Sequence, residues 1–127
     1  MIGLRNLAGP AGVAILGRTL MALLFILAGV AKVIDSKPVL DQMQAFSVPT
    51  VLFPAVVALE LGGGLALLLG WRLREVAAAL GIFCVLAAFI FHSDLADKAE
   101  RSIFFKDLAI AGGLLVLAAQ AAIKKNR

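Results

Sequence analysis

Two charged side chains lie inside the most apolar stretches of this chain. Glu60 interrupts the run from Ala58 to Gly70, and Arg18 interrupts an earlier run that ends near Ile34. A charge at membrane depth costs from about 2.5 to more than 10 kcal/mol, so such residues face a bundle interior or a wet cavity. We therefore predict that Glu60 lies inside a helical bundle and requires a partner.

Depth along two antiparallel helices favours Arg18 as that partner. At about 1.5 Å of rise per residue, Arg18 lies roughly 10 Å and Glu60 roughly 15 Å from the same end of the bundle. A guanidinium arm covers this difference, and pairing avoids an isolated buried charge. We predict an Arg18–Glu60 ion pair, which could either fix helix register or form part of a ligand or proton site.

A second polar cluster is predicted at the opposite end of the bundle. Lys32, His92 and Lys106 lie at helix ends of similar depth, next to acidic residues that include Asp107. His92 is the single histidine, and its reference pKa of about 6.5 suits proton transfer near neutrality. We expect a titratable cup that opens outward. The alternatives are a helix-end histidine bonded to a carbonyl or water, and lysines that snorkel to the interface.

Several chemistries find no support in the sequence. The single cysteine, Cys84, excludes an intrachain disulfide or a C-x-x-C pair. One histidine with carboxylates at unrelated spacings is no metal signature, so no metal site is predicted. Gly62-Gly63-Gly64 has neither a preceding strand nor a following Lys-Ser/Thr, as a phosphate loop would. We assign no catalytic residue, and an independent enzyme is the least favoured function.

The elements that position these residues are transmembrane helices. Hydrophobic residues make up 62% of the 127 positions and the mean hydropathy is +1.03, too apolar for a small soluble domain. The net charge of +4 does not form a basic stripe with interleaved aromatics, so nucleic acid is not an expected partner. We predict one all-α domain over residues 1–127, an integral membrane four-helix bundle with spans at about 11–34, 50–70, 74–92 and 103–122.

Two segments refine this architecture. Between Pro38 and Pro49, apolar residues recur at helical spacing, which predicts a short amphipathic interfacial helix between the first two spans; an ordinary capped loop is the alternative. In the second span, small residues recur every four positions and predict the face that contacts a neighbouring helix: Ala58, Gly62, Ala66 and Gly70.

Loop charges predict the orientation of the bundle. Four spans place both termini and the turn after the second span on one side of the membrane. That side carries most of the loop cations, namely Arg5, Arg72, Arg74, Lys124, Lys125 and Arg127. The positive-inside rule therefore places both termini in the cytoplasm. The first apolar run is too long for the core of a signal peptide, so we expect it to be a retained span.

Four blocks of this sequence resemble the DoxX family of small bacterial membrane proteins. They are Gly17-Arg18-Thr19-Leu20-Met21-Ala22-Leu23-Leu24-Phe25-Ile26-Leu27-Ala28-Gly29-Val30-Ala31-Lys32, the stretch from Glu60 to Gly70, Phe89-Ile90-Phe91-His92, and the stretch from Phe104 to Leu114. The resemblance implies a four-helix protein of the bacterial cytoplasmic membrane. By position, it also implies a set of motif residues: Arg18, Lys32, Glu60, His92 and Lys106. Asp107 departs from the asparagine expected after the lysine, which weakens any reading of that pair as an anion site.

The family name links these proteins, by similarity, to a subunit of a thiosulfate:quinone oxidoreductase. The resemblance therefore implies a non-catalytic subunit or accessory protein of a quinone-linked redox system, which would bind a quinone or another lipophilic molecule and hold no covalent cofactor. The alternatives are a small transporter or proton-coupled permease subunit, and a purely structural assembly factor. Expected partners are the lipid bilayer, a redox partner protein and a second copy of the chain.

Overall fold

A computed structural model describes residues 9–125 of the chain, and all the regular secondary structure in this part is helical. Four helices are long and apolar enough to cross a membrane, as the sequence predicts. A fifth, short helix lies between the first two long helices. A 3-10 turn at Thr50–Leu52 directly precedes the second long helix. In chain order the helices are α1 (Pro10–Ile34), α2 (Lys37–Ala45), α3 (Phe53–Leu69), α4 (Leu73–Phe91) and α5 (Lys98–Lys125).

Local residue chemistry explains where these helices begin and end. Pro10 opens α1 at a position whose N–H has no helical partner. Gly70 closes α3 in the left-handed conformation, with φ of 76°, and the next N–H, from Trp71, donates to Ala66 at 2.8 Å. This left-handed glycine cap reverses the chain directly into α4.

The fourth long helix begins earlier than the sequence predicts. The apolar run starts near Ile103, but α5 begins at Lys98. The Asp97 carboxylate accepts hydrogen bonds from the backbone N–H groups of Ala99 and Glu100, at 2.9 and 3.3 Å. This aspartate cap adds a polar turn that a search for apolar spans does not detect.

The bundle consists of two tightly packed helix pairs, α1 with α3 and α4 with α5. Between α1 and α3 the backbones approach closely at Gly64. A Cβ there would lie 2.8 Å from the Ile26 side chain and 3.2 Å from the Ala22 carbonyl oxygen. Buried residues of both pairs join in one core: Ala22, Phe25, Leu67, Ala77, Leu80, Cys84, Ala111, Leu114 and Ala118.

The face of α3 that packs inward differs from the predicted one. Of the predicted face, Ala66 is buried, but Ala58 and Gly62 are exposed. The buried residues of α3 are Glu60, Gly63, Gly64, Ala66 and Leu67. The predicted four-residue repeat followed residue size alone. The observed face contains the charged residue, because burying Glu60 next to its counter-ion decides how the helix is rotated.

The segment between α1 and α3 forms the predicted short amphipathic helix. In α2, Met43 is buried while Asp41 and Gln44 are exposed. Lys37 and Asp41 form an exposed ion pair at 2.8 Å, one turn apart on its outer side. The Phe46 ring, just after α2, packs edge-on against Phe91 at the end of α4, with centroids 5.4 Å apart. These contacts fix α2 against the bundle end that carries Lys32 and His92.

Candidate functional site

Glu60 is the one charged residue buried in the described part of the chain, and it pairs with Lys32. The Lys32 Nζ lies 2.7 Å from Glu60 Oε1, and only 5% of the glutamate side chain and 19% of the lysine side chain are exposed. The lysine contacts Oε1, and no described residue forms an ion pair or hydrogen bond with Oε2. The pair therefore connects α1 and α3 electrostatically and leaves acceptor capacity on the carboxylate.

The predicted Arg18–Glu60 ion pair does not form. The Arg18 guanidinium lies against Gly70 at the other end of α3, where a Cβ would be 3.3 Å from Nη2, and its Nε is buried without a hydrogen-bond partner. Arg18 and Glu60 lie at different heights because α1, with 25 residues, is longer than α3, with 17. The first turns of α1 extend past the end of α3, which places Arg18 level with Gly70 rather than with Glu60.

A cavity of about 400 Å³ lies beside the Lys32–Glu60 pair. It is formed between the two helix pairs, and α2 and the following loop contribute Val39, Met43 and Val48 to its wall. Most of its surface is apolar. Five polar side chains line it, and each can be charged or can form a strong hydrogen bond: Lys32, Gln42, Glu60, His92 and Asp107.

His92 reaches this cavity from the end of α4. Its backbone N–H caps the helix by donating to Ala88 at 3.1 Å. Its ring Nδ1 lies 2.7 Å from Glu100 Oε2, in the first turn of α5. Because an ionised carboxylate can only accept a hydrogen bond, Nδ1 is the donor in this contact. In a neutral ring, Nε2 is then an acceptor. The histidine is thus held by a side chain, where a backbone carbonyl or water was the expected alternative.

The structure does not bring Lys106 into the cluster. Its side chain is exposed, and the neighbouring Asp107 lines the cavity instead. Successive residues on a helix point about 100° apart, so only one of the two can face inward. The predicted outer cup therefore exists with a different composition: Glu60 joins it, Lys32, His92 and Asp107 remain, and Lys106 does not contribute.

Two residues that line the cavity are hard to identify from the sequence. Asp107 belongs to the predicted cup as a neighbour of Lys106, but its sequence position does not show that the aspartate, rather than the lysine, faces inward. Gln42 lies on the amphipathic helix, and only the three-dimensional packing of α2 shows that this residue reaches the cavity. Within residues 9–125, no group of three or more His, Cys, Asp or Glu side chains is arranged to hold a metal ion.

Comparison with known sequences identifies the family of this four-helix protein. Residues 13–93 match the sequence model of the DoxX family. The chain belongs to the DoxX family. This match covers α1 to α4, and therefore includes Lys32, Glu60 and His92. It ends before Lys106 and Asp107, so the α5 side of the cavity lies outside the matched region.

A curated relative extends the comparison. The chain is 41% identical to the inner membrane protein YqjF of Escherichia coli (strain K12) over 104 residues, which cover 82% of this chain and 80% of the relative. No solved structure matches the chain. With four membrane-spanning helices and this relative, the DoxX-family chain is a multi-pass protein of the inner, cytoplasmic membrane.

Proposed function

We propose that this DoxX-family protein is a non-catalytic membrane subunit that binds a quinone, or a similar lipophilic redox molecule, for a partner oxidoreductase. The observation that carries the proposal is the cavity beside Lys32 and Glu60, which combines an apolar wall with a few convergent polar groups. Its volume of about 400 Å³ falls within the range of roughly 300–1,000 Å³ that is typical of small-molecule sites. In this proposal the chain binds and orients the ring, and the partner protein supplies electron transfer.

The position of the cavity suits a ligand that arrives through the bilayer. Four of the apolar residues that line it are about half exposed on the protein surface: Leu24, Leu52, Leu86 and Ile90. On a membrane-spanning helix, exposed apolar side chains contact acyl chains. A ligand with an isoprenoid tail could therefore leave its tail in the bilayer while its ring reaches the polar groups. With the predicted orientation, the cavity lies in the outer half of the membrane.

Co-purification of quinones with the full chain tests this proposal. The protein is extracted with its surrounding lipid, and bound quinones are measured by chromatography in the wild type and in two variants. Ala87→Phe introduces a ring into the cavity wall from α4, and Ala79→Phe introduces the same ring on an exposed position of the same helix. We expect quinone to accompany the wild type and Ala79→Phe, and to be lost from Ala87→Phe.

The outcome that would refute the proposal is equally specific. If quinone is absent from all three preparations, and short-chain quinones leave the melting temperature unchanged, the cavity does not bind this class of ligand. If Ala87→Phe retains as much quinone as Ala79→Phe, any bound quinone lies elsewhere on the protein.

A proton-coupled transporter is the second candidate function, and the observation that favours it is the buried carboxylate of Glu60. It ranks second because packed residues, including Ala22, Phe25 and Leu67, lie between Glu60 and the level of Arg18. A transport path through one copy would have to cross this apolar layer. The test is pH-dependent flux in proteoliposomes, and an identical flux for the wild type and Glu60→Gln would contradict this function.

A further inference from the structure

We infer that the cavity prefers a ring that donates hydrogen bonds, such as a quinol, over the corresponding quinone, and that Glu60 is the acceptor that creates this preference. The inference rests on the proposed function and specifies the oxidation state of the ligand. It concerns binding only, and follows from the donors and acceptors that line the cavity.

The Glu60 carboxylate is the principal unfilled acceptor. The residue is only 4% exposed and lines the cavity. The Lys32 ammonium contacts Oε1 at 2.7 Å, whereas Oε2 forms no ion pair or hydrogen bond with a described residue. An ionised carboxylate offers about four acceptor sites and no donor. A buried acceptor without a donor costs free energy, so a ligand hydroxyl that reaches it gains a strong, charge-assisted hydrogen bond.

The remaining polar groups reinforce this acceptor character. Asp107 adds a second carboxyl group to the wall and forms no ion pair with a described residue. The Nδ1 hydrogen of His92 is directed to Glu100, so in a neutral ring Nε2 is a further acceptor. Gln42 both donates and accepts, and therefore does not distinguish the two ligand forms.

Lys32 is the group that would favour a quinone, because its ammonium donates to carbonyl oxygens. It lies 2.7 Å from Glu60 Oε1, and this carboxylate neutralises its charge. A quinone carbonyl can reach the ammonium only by competing with an ionised oxygen, which is the stronger acceptor. A quinol hydroxyl avoids this competition, because it donates to the carboxylate while the ion pair stays intact.

Binding of three related probes to the full chain in dodecyl maltoside micelles tests the inference. The probes are decylubiquinol, decylubiquinone and the dimethyl ether of decylubiquinol, which keeps the ring but has no hydroxyl hydrogen. Calorimetric titration under argon, with protein-free micelles as the blank, gives the dissociation constants. We expect the quinol to bind on the order of tenfold more tightly than the other two, the difference that one hydrogen bond to a charged group provides.

Two carboxylate-to-amide variants assign this preference to a residue. In Glu60→Gln the difference between quinol and quinone should fall to within about twofold, because an amide also donates to a carbonyl. Glu75→Gln makes the same change on an exposed residue in the first turn of α4, and should keep the wild-type difference. The wild-type comparison stands even if Glu60→Gln fails to fold.

The possible failures are distinguishable. If the quinone or the dimethyl ether binds as tightly as the quinol, the inference is overturned while the proposed quinone site stands. If the quinol is preferred equally in Glu60→Gln and in the wild type, the assignment to Glu60 is overturned. If none of the three probes binds, the proposed function fails, and the inference fails with it.

Discussion

Replacing Lys32 with methionine should destabilise the protein far more than a typical loss of an ion pair. The substitution keeps a long side chain on α1 but leaves the Glu60 carboxylate without the ammonium 2.7 Å away. Removing one partner of a buried pair costs about 3–5 kcal/mol, because the remaining charge is uncompensated. The reciprocal variant, Glu60→Leu, leaves the lysine ammonium without a counter-ion and should lose a smaller amount, because Lys32 is more exposed and can move its charge toward water.

The double variant distinguishes the net stabilisation by the ion pair from the cost of leaving one charge buried without a partner. With both charges removed, no unpaired charge remains, so Lys32→Met with Glu60→Leu should lie within about 1 kcal/mol of the wild type or be more stable. The protein contains its own control in the exposed pair of Lys37 and Asp41 on α2. Removing Lys37 should cost roughly 0.3–0.5 kcal/mol, the usual value for an exposed pair one helical turn apart.

Reversible unfolding in mixed detergent micelles, followed by circular dichroism, measures these free energies. The expected order of stability loss is Lys32→Met first, Glu60→Leu second, and then the double variant together with Lys37→Met. The reasoning is refuted if Lys32→Met costs no more than Lys37→Met, or if the double variant loses the sum of the two single losses.

Three further predictions concern the fold. Gly64→Ala should lower the free energy of unfolding by about 1–3 kcal/mol, because its Cβ would collide with α1. Gly62→Ala adds its Cβ in open space and should change this free energy by less than about 1 kcal/mol. The same unfolding assay compares the two variants, and equal losses would contradict the close approach of α1 and α3. Asp97→Ala removes the cap of α5 and should cost about 0.5–2 kcal/mol, with faster amide exchange in the first turn of α5; unchanged exchange there would count against the cap. Phe46→Ala removes the ring contact to Phe91 and should raise amide exchange throughout α2, with α4 unchanged as the internal reference.

The membrane-spanning helices could be predicted because their signal is local. Each apolar run is about as long as a bilayer is thick, and Pro10 and Gly70 mark helix ends in the sequence itself. The amphipathic helix α2 was predictable for the same reason, from the spacing of its apolar residues. The start of α5 was not, because Asp97 extends this helix beyond its apolar part.

The composition of the site could not be predicted, because it depends on the relative heights of the helices. The sequence identifies Glu60 as a residue that needs a partner, and depth along ideal helices favours Arg18. Lys32 is the partner in the structure, because the close approach of α1 and α3 at Gly64 sets their register. The rotation of α5, which turns Asp107 inward and Lys106 outward, also depends on packing between helices.

Photolabelling with an azido-substituted short-chain quinone tests most directly that the cavity is a binding site. After irradiation of the full chain in its native lipid, mass spectrometry locates the modified residues. We expect adducts on the lining segments of α1 and α4, at residues 24–32 and 83–92, and their loss in Ala87→Phe but not in Ala79→Phe. Labelling spread over exposed apolar positions of α5, such as Leu115, Val116 and Ile123, and unchanged in Ala87→Phe would contradict a specific site at Lys32 and Glu60.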